Sequence, residues 1–250
     1  MSPRRLVLAL IFLLATPLAL AEPLRVAMSP DYMPIAFKQG GKLMGIEVDN
    51  AREVAGMLGR EVVFVEMSNT DYVDALNSGK VDVVMSGYSI TPEREAQVAF
   101  ADSFMEVGQM AIILSDNAGN LAHPRALYRK GIRIGVEPDT TGEAFVRANF
   151  PEAEIISYPN PAYAFAALRG GVADVYIHDA PTSWNLASSR ENQDLLSLYR
   201  PLTRERLAWA VKKDNSFLLK QLNAALMELR SNGRLSAIQN YWIPVTVQVR

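Results

Sequence analysis

Short apolar runs alternate with amphipathic segments through most of the chain. The runs typical of buried strands lie at 24–28, 61–65, 81–85, 132–136 and 154–157. The segments with helical periodicity lie at 47–58, 142–149 and 162–168. The first of these helices is predicted to end at Gly59. Such alternation predicts an α/β protein whose sheets are parallel and joined by right-handed crossovers.

Two parts of the sequence repeat in the same order. Residues 25–37 align without gaps with residues 133–145, and the same Arg, Pro, Asp, Ala and Phe recur in place. Residues 75–87 align in the same way with residues 167–179, where a helix end turns through Gly into a strand. Two matches in the same order predict two lobes that are built on one plan.

An apolar strand at 207–211 and an amphipathic helix over 216–230 follow the second repeat, and Gly233 is predicted to end the helix. The apolar face of this helix, which we expect to pack against the core, comprises Phe217, Leu218, Leu222, Leu226 and Leu229.

This tail lies outside the second repeat, so we expect it to return to the first lobe. Lobe 1 is therefore predicted to comprise residues 22–110 and 208–250, and lobe 2 residues 111–207. The chain then crosses between the lobes twice, near 109–114 and 207–212. Two covalent connections restrict the relative motion of the lobes to a hinge.

The N-terminus has the pattern of a secretory signal peptide. Arg4 and Arg5 precede an apolar run over 6–14, and residues 19–21 supply a small-x-small cleavage pattern. We expect residues 1–21 to be removed by cleavage after Ala21. An uncleaved N-terminal anchor is the alternative, which the short apolar run disfavours.

Composition narrows the class of partner. The formal net charge is −2 and no run of Lys or Arg is present, which argues against nucleic acid or an anionic membrane as a partner. The hydrophobic content of 49% is ample for a core, and there is no Cys to form a disulfide framework. With two His and no Cys, no metal site or other cofactor is expected.

The candidate ligand-binding residues lie in the loops beyond the carboxyl ends of the predicted strands, because ligands in open α/β sheets bind there. These loops are 29–35, 86–89, 137–142 and 178–181. Thr91 and Pro92 form a helix-start pair, and Arg94 follows in the first turn, where a cation opposes the helix dipole. A bound anion at the same place explains such an Arg, whereas the alternative is a solvated surface side chain.

The charged and polar residues of these loops suit a zwitterion. Arg94 and Ser89 offer donors for a carboxylate from one lobe, and Thr140 and Thr141 add donors from the other. Asp179 offers a negative charge for an ammonium, since a buried charge requires a counter-charge. Its alternative role is a cap before the helix that contains Pro181. Tyr32 is expected to cover the ligand, with a packing role as the alternative.

The motifs at 87–94 (GYSITPER), 100–104 (FADSF), 45–49 (GIEVD) and 232–242 (NGRLSAIQNYW) resemble those of bacterial extracellular solute-binding proteins of family 3, the group that binds polar amino acids for ABC importers. The resemblance spans nearly all of the chain beyond residue 21. It implies an α/β, two-lobed periplasmic-binding-protein-like fold of type II, with parallel-type sheets joined by a two-stranded hinge. It also implies a periplasmic monomer that binds an amino acid or analogue and delivers it to a membrane permease.

The resemblance assigns roles to individual residues. Arg94 is expected to bind the ligand carboxylate with Ser89, Thr140 and Thr141, while the Gly87 carbonyl and Asp179 receive the ammonium. Asn69 and Ile35 stand where relatives commonly have aromatic residues, which suggests a roomier or more polar pocket. The predicted ligand site comprises Tyr32, Ile35, Asn69, Ser86, Gly87, Ser89, Arg94, Thr140, Thr141 and Asp179.

Two other functions remain open on the same scaffold. One is a periplasmic cyclohexadienyl dehydratase acting on prephenate or arogenate, because residues 143–149 resemble the corresponding dehydratase segment and Glu143 or His178 suits a general acid. The other is a ligand sensor that docks on a membrane receptor. A nucleophilic triad of Ser183, His178 and Asp179 is disfavoured, because these residues follow one another in a single loop.

Overall fold

Two five-stranded sheets, each covered by helices, form the body of the protein in the computed structural model. The structure describes residues 22–243, apart from 187–188, 199 and the side chain of Pro124. The predicted signal peptide, residues 1–21, and the end of the predicted lobe 1, residues 244–250, lie outside the described residues. No helix in the part of the chain that the structure describes is long and apolar enough to cross a membrane.

The strands and helices alternate as the sequence pattern predicts. The strands are β1 (Leu24–Met28), β2 (Asp31–Tyr32), β3 (Ala36–Gln39), β4 (Lys42–Met44), β5 (Val62–Glu66), β6 (Val83–Val84), β7 (Val98–Phe100), β8 (Met105–Val107), β9 (Gln109–Leu114), β10 (Arg133–Val136), β11 (Glu154–Ser157), β12 (Val175–Asp179), β13 (Leu195–Ser197), β14 (Glu205–Leu207) and β15 (Ala210–Lys212). The helices are α1 (Ile46–Met57), α2 (Tyr72–Asn77), α3 (Pro92–Glu95), α4 (Ala118–Leu121), α5 (Thr141–Asn149), α6 (Pro161–Arg169), α7 (Ala180–Leu186), α8 (Ser216–Ser231) and α9 (Arg234–Trp242).

The two sheets have closely related topologies. The first has the order β5-β1-β6-β15-β7 and the second the order β11-β10-β12-β9-β13. In each sheet, three neighbouring strands are parallel to one another. One further strand lies antiparallel beside them, and it is the strand that follows the passage of the chain into that lobe: β15 in the first sheet and β9 in the second. The predicted α/β fold is thus confirmed, with mixed rather than purely parallel sheets. We call the body around each sheet the first and the second lobe.

The internal repeat of the sequence appears as a repeated ion pair. In the first lobe, Arg25 Nη2 lies 2.6 Å from Asp82 and Nη1 donates to the Gly79 carbonyl. In the second lobe, Arg133 Nη2 lies 2.7 Å from Asp174 and Nη1 donates to the Gly171 carbonyl. The aligned residues therefore make the same contacts, and each pair fixes the turn that leads from a helix into a central strand.

A short two-stranded sheet lies where the chain passes between the lobes. Strands β8 and β14 pair antiparallel, with Glu106 opposite Arg206. The crossings were predicted near 109–114 and 207–212, but residues 109–114 form β9 inside the second sheet and residues 210–212 form β15 inside the first. We propose that the β8–β14 ribbon is the hinge, and the lobe boundaries stay a prediction.

Apolar clusters fill both faces of each sheet. In the first lobe, α1, α8 and α9 cover one face and α2 the other. Helix α8 buries Leu218, Leu222, Leu226 and Leu229, but the prediction that Phe217 joins them is wrong, since its side chain is 73% exposed. Each residue turns an α-helix by about 100°, so Phe217 lies beside the i, i+4, i+8 stripe that Leu218 begins.

Candidate ligand-binding site

A cavity of about 460 Å³ lies between the two lobes, at the carboxyl ends of their parallel strands. It is where the topology rule for open α/β sheets places a ligand. Nine of the ten predicted site residues line the cavity: Tyr32, Asn69, Ser86, Gly87, Ser89, Arg94, Thr140, Thr141 and Asp179. They come from five segments that lie far apart in the sequence.

Ile35 is the predicted site residue that does not line the cavity. Its side chain is fully buried in the core of the first lobe, below the loop that contains Gly87. Its carbonyl accepts a hydrogen bond from the Glu47 N–H, which helps to fix the start of α1. An apolar residue at this point gains more from burial in the core than from contact with a polar ligand, so the expectation that Ile35 contacts the ligand is corrected.

Arg94 lies at the edge of the cavity because of the helix start that the sequence predicts. The Thr91 hydroxyl accepts from the Arg94 N–H at 3.3 Å, and Pro92 is the first residue of α3. The guanidinium stacks over the Tyr88 ring, with Cζ 4.0 Å from its centroid. It donates to the Ser89 carbonyl and, across the cleft, to the Asp139 carbonyl, both at 3.0 Å.

These two bonds leave most of the guanidinium donors for another partner, because Arg carries five N–H groups. Among the residues described, no carboxylate forms a salt bridge with Arg94. Asp139, which accepts from Arg94, has a φ of 61°, a left-handed conformation that Asp tolerates better than most residues. Arg94 therefore retains its charge and free donors at the cavity wall, as expected of a carboxylate-binding residue.

The hydroxyl groups predicted to bind a ligand carboxylate already have a carboxylate partner. Glu205 Oε2 accepts from Ser89 Oγ at 2.8 Å and from Thr141 Oγ1 at 2.7 Å. Glu205 Oε1 accepts from Thr203 Oγ1 at 2.6 Å and from Gln109 Nε2 at 3.1 Å. Both hydroxyls that were predicted to bind a ligand carboxylate therefore donate to Glu205 in this structure, and their role in ligand binding stays a prediction.

Thr140 acts as a helix cap instead of a side-chain donor to a ligand. Its hydroxyl donates to the Glu137 carbonyl at 2.7 Å and accepts from the Glu143 N–H at 3.1 Å, which begins α5. The backbone N–H groups of Ser89 and Thr141 have no partner among the described residues. Thr141 is the first residue of α5, where N–H groups point out of the helix and favour an anion. These N–H groups and the remaining N–H groups of the Arg94 guanidinium are thus unpaired donors at this part of the cavity.

Asp179 lies opposite Arg94, at the end of β12. Its Oδ2 accepts from the Tyr32 hydroxyl across the cleft at 2.6 Å, and its Oδ1 accepts from Gln109 Nε2. Burial raises the pKa of Asp179, and the charge of Glu205 raises it further. His178 has the opposite effect and lowers this pKa, but the net shift is upward. A ligand ammonium stabilises the charged carboxylate and so opposes this shift. Tyr32, expected to stack over the ligand, also links the lobes through this hydrogen bond.

Ser86 and Asn69 hold the walls of the cavity in place. The Ser86 hydroxyl accepts from the Tyr72 hydroxyl at 2.7 Å and from the Ser29 N–H at 3.0 Å. Asn69 Nδ2 donates across the cleft to the Pro138 carbonyl at 3.0 Å. Contacts of Tyr32, Asn69 and Arg94 with the second lobe therefore describe a closed cleft.

Gly87 occupies a position that no larger residue fits. Its φ is +64°, and an added Cβ would lie 2.7 Å from Cε1 of Tyr32 and 3.0 Å from Cγ2 of Ile35. We expect Gly87→Ala to displace Tyr32 and to lower ligand affinity about 10-fold, in addition to a backbone strain of about 1–2 kcal/mol. Calorimetric titration and urea unfolding measure these two effects separately.

Gly59→Ala is the matched control for Gly87→Ala. Gly59 also has a φ of +64°, but nothing lies within 4 Å of the added Cβ. The control is expected to lose a similar amount of stability with unchanged affinity. Equal affinity losses in both variants, or none in Gly87→Ala, would contradict the close approach of Tyr32 to Gly87 in the bound state.

Several polar residues of the site were not predicted. Gln109 begins β9 and Glu205 begins β14, and Asp31 and Glu66 also line the cavity. Gln109 is the one polar residue in the apolar run of β9, which is a detectable signal of a function. Nothing local marks Glu205, because its role depends on hydroxyls that lie 64 and 116 residues away along the chain.

The residues proposed for catalysis are only partly in the cavity. The Glu143 carboxylate accepts from the Asp139 N–H at 2.8 Å and pairs with Arg147 at 2.7 Å, and it does not line the cavity. His178 does, with Nε2 3.2 Å from Glu137. Burial lowers the pKa of His178, but Glu137 and Asp179 together outweigh this effect and raise the pKa above its usual value. Ser183 is buried and makes no bond to His178, so no nucleophilic triad forms.

Comparison with known proteins identifies what the chain resembles. Residues 24–245 match the family described as bacterial extracellular solute-binding proteins, family 3. The ABC transporter glutamine-binding protein GlnH of Bacillus subtilis (strain 168) is 30% identical over 81% of this chain and 74% of its own length. The ABC transporter arginine-binding protein 1 of Escherichia coli (strain K12) is 28% identical over 90% and 92%.

Other relatives include both binding proteins and an enzyme. Cyclohexadienyl dehydratase of Pseudomonas aeruginosa is 27% identical over 88% of this chain and 82% of its own length. The crystal structure of the ancestral amino acid-binding protein AncCDT-1, a precursor of cyclohexadienyl dehydratase, matches with a TM-score of 0.83 and 32% identity over 88% and 95% of the two chains. An ancestral arginine-binding protein bound to arginine matches with a TM-score of 0.81 and 32% identity over 88% and 97%.

Proposed function

The chain belongs to the bacterial extracellular solute-binding proteins of family 3, and from this premise we propose that it is a periplasmic binding protein for an amino acid or a closely related zwitterion. The main support is that two opposite charges line one cavity: Arg94 belongs to the first lobe and Asp179 to the second. A ligand that has a carboxylate and an ammonium on one carbon matches both. The identified relatives that bind glutamine and arginine support this ligand class.

The binding mode follows from the groups that remain free. The carboxylate accepts from the Arg94 guanidinium and from the N–H groups of Ser89 and Thr141, and the ammonium donates to Asp179 and the Gly87 carbonyl. Burial of each ligand charge is offset by a counter-charge and by hydrogen bonds. Charge-assisted hydrogen bonds worth about 1.5–3 kcal/mol each together support affinity in the micromolar range, roughly −8 kcal/mol.

Ligand binding is proposed to select the closed arrangement of the lobes. Tyr32, Asn69 and Arg94 each bond to a residue of the second lobe, and a bound zwitterion adds contacts to both lobes at the same place. A ligand that contacts both lobes stabilises the closed state relative to the open one. The closed protein then presents the surface that a membrane permease of an ABC importer recognises. The protein is proposed to act as an exported monomer after cleavage behind Ala21.

The proposal includes no catalytic step and no cofactor. One relative is a dehydratase, and His178 lies in the cavity wall, so the same fold is compatible with acid catalysis. However, Glu143, the other candidate acid, is held by the start of α5 and by Arg147. The opposed charges of Arg94 and Asp179 require no reaction to explain them.

A thermal-shift screen tests the proposed function. The purified protein is unfolded and refolded to remove carried-over ligand, then heated with each standard amino acid and, separately, with prephenate or arogenate. A ligand at about a thousand times its Kd adds roughly 4 kcal/mol of stability, so one or a few amino acids are expected to raise Tm clearly. The absence of any shift with amino acids, or formation of phenylpyruvate or phenylalanine, would overturn the proposal.

A further inference from the structure

We propose that the ligand is an amino acid whose side chain carries a positive charge, and that Asp31 and Glu137 recognise this charge from opposite lobes. The inference rests on the proposed function and specifies its substrate class. With the ligand carboxylate at Arg94 and its ammonium at Asp179, the remaining cavity wall is the place for the side chain. That wall is acidic.

Three carboxylates line the cavity in addition to that of Asp179. Asp31 begins β2 and Glu66 ends β5 in the first lobe, while Glu137 follows β10 in the second. Burial raises the pKa of Asp31, and the charges of Glu137 and Glu66 raise it further. The shift agrees with carboxylates that approach one another across the closed cleft.

The protein itself compensates these charges incompletely. Lys38 pairs with Glu66 at 2.8 Å, and Glu137 accepts from the Tyr176 hydroxyl and contacts His178. Within the described residues, the Asp31 carboxylate has neither a hydrogen bond nor a salt bridge. Asp31 is exposed and Glu137 is half-buried at the same cavity, so a neutral side chain would leave their like charges incompletely compensated, and an acidic side chain would add to their repulsion. A cation neutralises them.

The balance of hydrogen-bonding groups leads to the same class of side chain. Gln109 and His178 line the cavity and are more than nine-tenths buried, yet Oε1 of Gln109 and Nδ1 of His178 have no partner among the described residues. Both atoms are themselves buried inside the protein, whereas the Asp31 carboxylate is exposed and is the unused acceptor at the cavity wall. Ammonium and guanidinium groups offer only donors, three and five respectively, whereas an amide or carboxylate brings acceptors of its own.

Matched ligand pairs test the inference without changing the protein. The refolded protein is titrated by calorimetry with L-arginine against L-citrulline, which has nearly the same shape without the charge, and with L-lysine against L-norleucine. At least one cationic member is expected to bind about 10-fold or more tightly than its neutral partner. Equal or tighter binding of citrulline, norleucine or glutamine than of both cations overturns the inference and leaves the proposed function standing. Failure of every amino acid overturns both.

Two isosteric variants test the residues. Asp31→Asn and Glu137→Gln are each expected to weaken binding of the cationic ligand about 10-fold while changing the affinity for its neutral counterpart less than about 2-fold. Glu61→Gln is the control, because Glu61 is an exposed acid of the first lobe that does not line the cavity. Unchanged discrimination between arginine and citrulline in both cavity variants would overturn the assignment of Asp31 and Glu137.

Discussion

Replacement of Arg94 by Ala is expected to lower the affinity of the protein for its amino acid about 100-fold or more. Among the described residues that line the cavity, Arg94 is the one Arg or Lys, and a carboxylate bound to its guanidinium accepts two charge-assisted hydrogen bonds. Each contributes about 1.5–3 kcal/mol, and 1.4 kcal/mol corresponds to a tenfold change in Kd. Calorimetric titration of wild type and variant with the same amino acid measures the effect.

Stability separates this result from a folding defect. Arg94 is half-buried, and its contacts with protein groups are two carbonyls and the face of Tyr88, so urea unfolding of Arg94→Ala should be close to that of the wild type. Arg52→Ala is the control, because Arg52 also lies over an aromatic ring, 5.7 Å from the centroid of Phe64, but does not line the cavity. An Arg94→Ala variant with wild-type affinity would refute the assignment of the carboxylate site.

Arg94→Lys distinguishes charge from geometry. Lys retains the charge on a flexible stem but lacks the planar fork that binds a carboxylate through two parallel N–H groups. The variant is therefore expected to bind more tightly than Arg94→Ala and less tightly than the wild type. Full recovery by Lys would show that Arg94 acts as a point charge alone.

Local signals in the sequence predicted the elements that depend on neighbouring residues. The helix start at Thr91 and Pro92 was predicted because capping and the fixed φ of Pro act within one turn, and the structure confirms it. Strands β1 and β11 have the predicted bounds for the same reason: apolar runs between turn residues are short-range patterns. The repeated Arg–Asp pairs show that internal alignment carried information on tertiary contacts as well.

Contacts between distant segments explain what the sequence did not reveal. The choice of Ser89 and Thr141 as residues of the cavity wall agrees with the structure, but their hydroxyls bond to Glu205, a residue of the return crossing. No local pattern indicates that Glu205 reaches both lobes. Ile35 was predicted to line the ligand site because relatives commonly have an aromatic residue at this position. Its burial in the core depends instead on the packing of α1 and the 86–89 loop around it. The order of the strands and helices was therefore easier to predict from the sequence than the direction in which individual side chains of the site point.

A second large effect is expected from a buried acid beneath the site. Glu47 is fully buried in α1 and accepts from Trp209 Nε1 at 2.9 Å, from Asn50 Nδ2 at 3.1 Å and from the Gly87 N–H at 3.3 Å. Its carboxylate thus connects the loop that contains Gly87 with the segment between β14 and β15. Burial raises the pKa of Glu47 to about 7, although the three hydrogen bonds oppose the shift.

The sign of the resulting pH dependence follows from the two pKa values. In the unfolded chain Glu47 loses its proton near 4.5, whereas in the folded protein it retains the proton up to about pH 7. The folded state therefore binds more protons between these values, and the free energy of unfolding falls as pH rises through this window. A shift of this size corresponds to a loss of about 3 kcal/mol, complete above pH 7.

Glu47→Gln isolates this contribution, because the amide has nearly the same shape and does not titrate. The free energy of unfolding of the variant minus that of the wild type is expected to increase by about 3 kcal/mol from pH 4.5 to pH 8, as measured by urea titration. Asp82→Asn provides a contrast of opposite sign. Burial opposes ionisation of Asp82, but hydrogen bonds from Arg25 lower its pKa, so its contribution is present at neutral pH and is lost in acid. Parallel curves for wild type and Glu47→Gln would mean that the pKa of Glu47 is the same in the folded and unfolded states, and would contradict the effect of burial on this group.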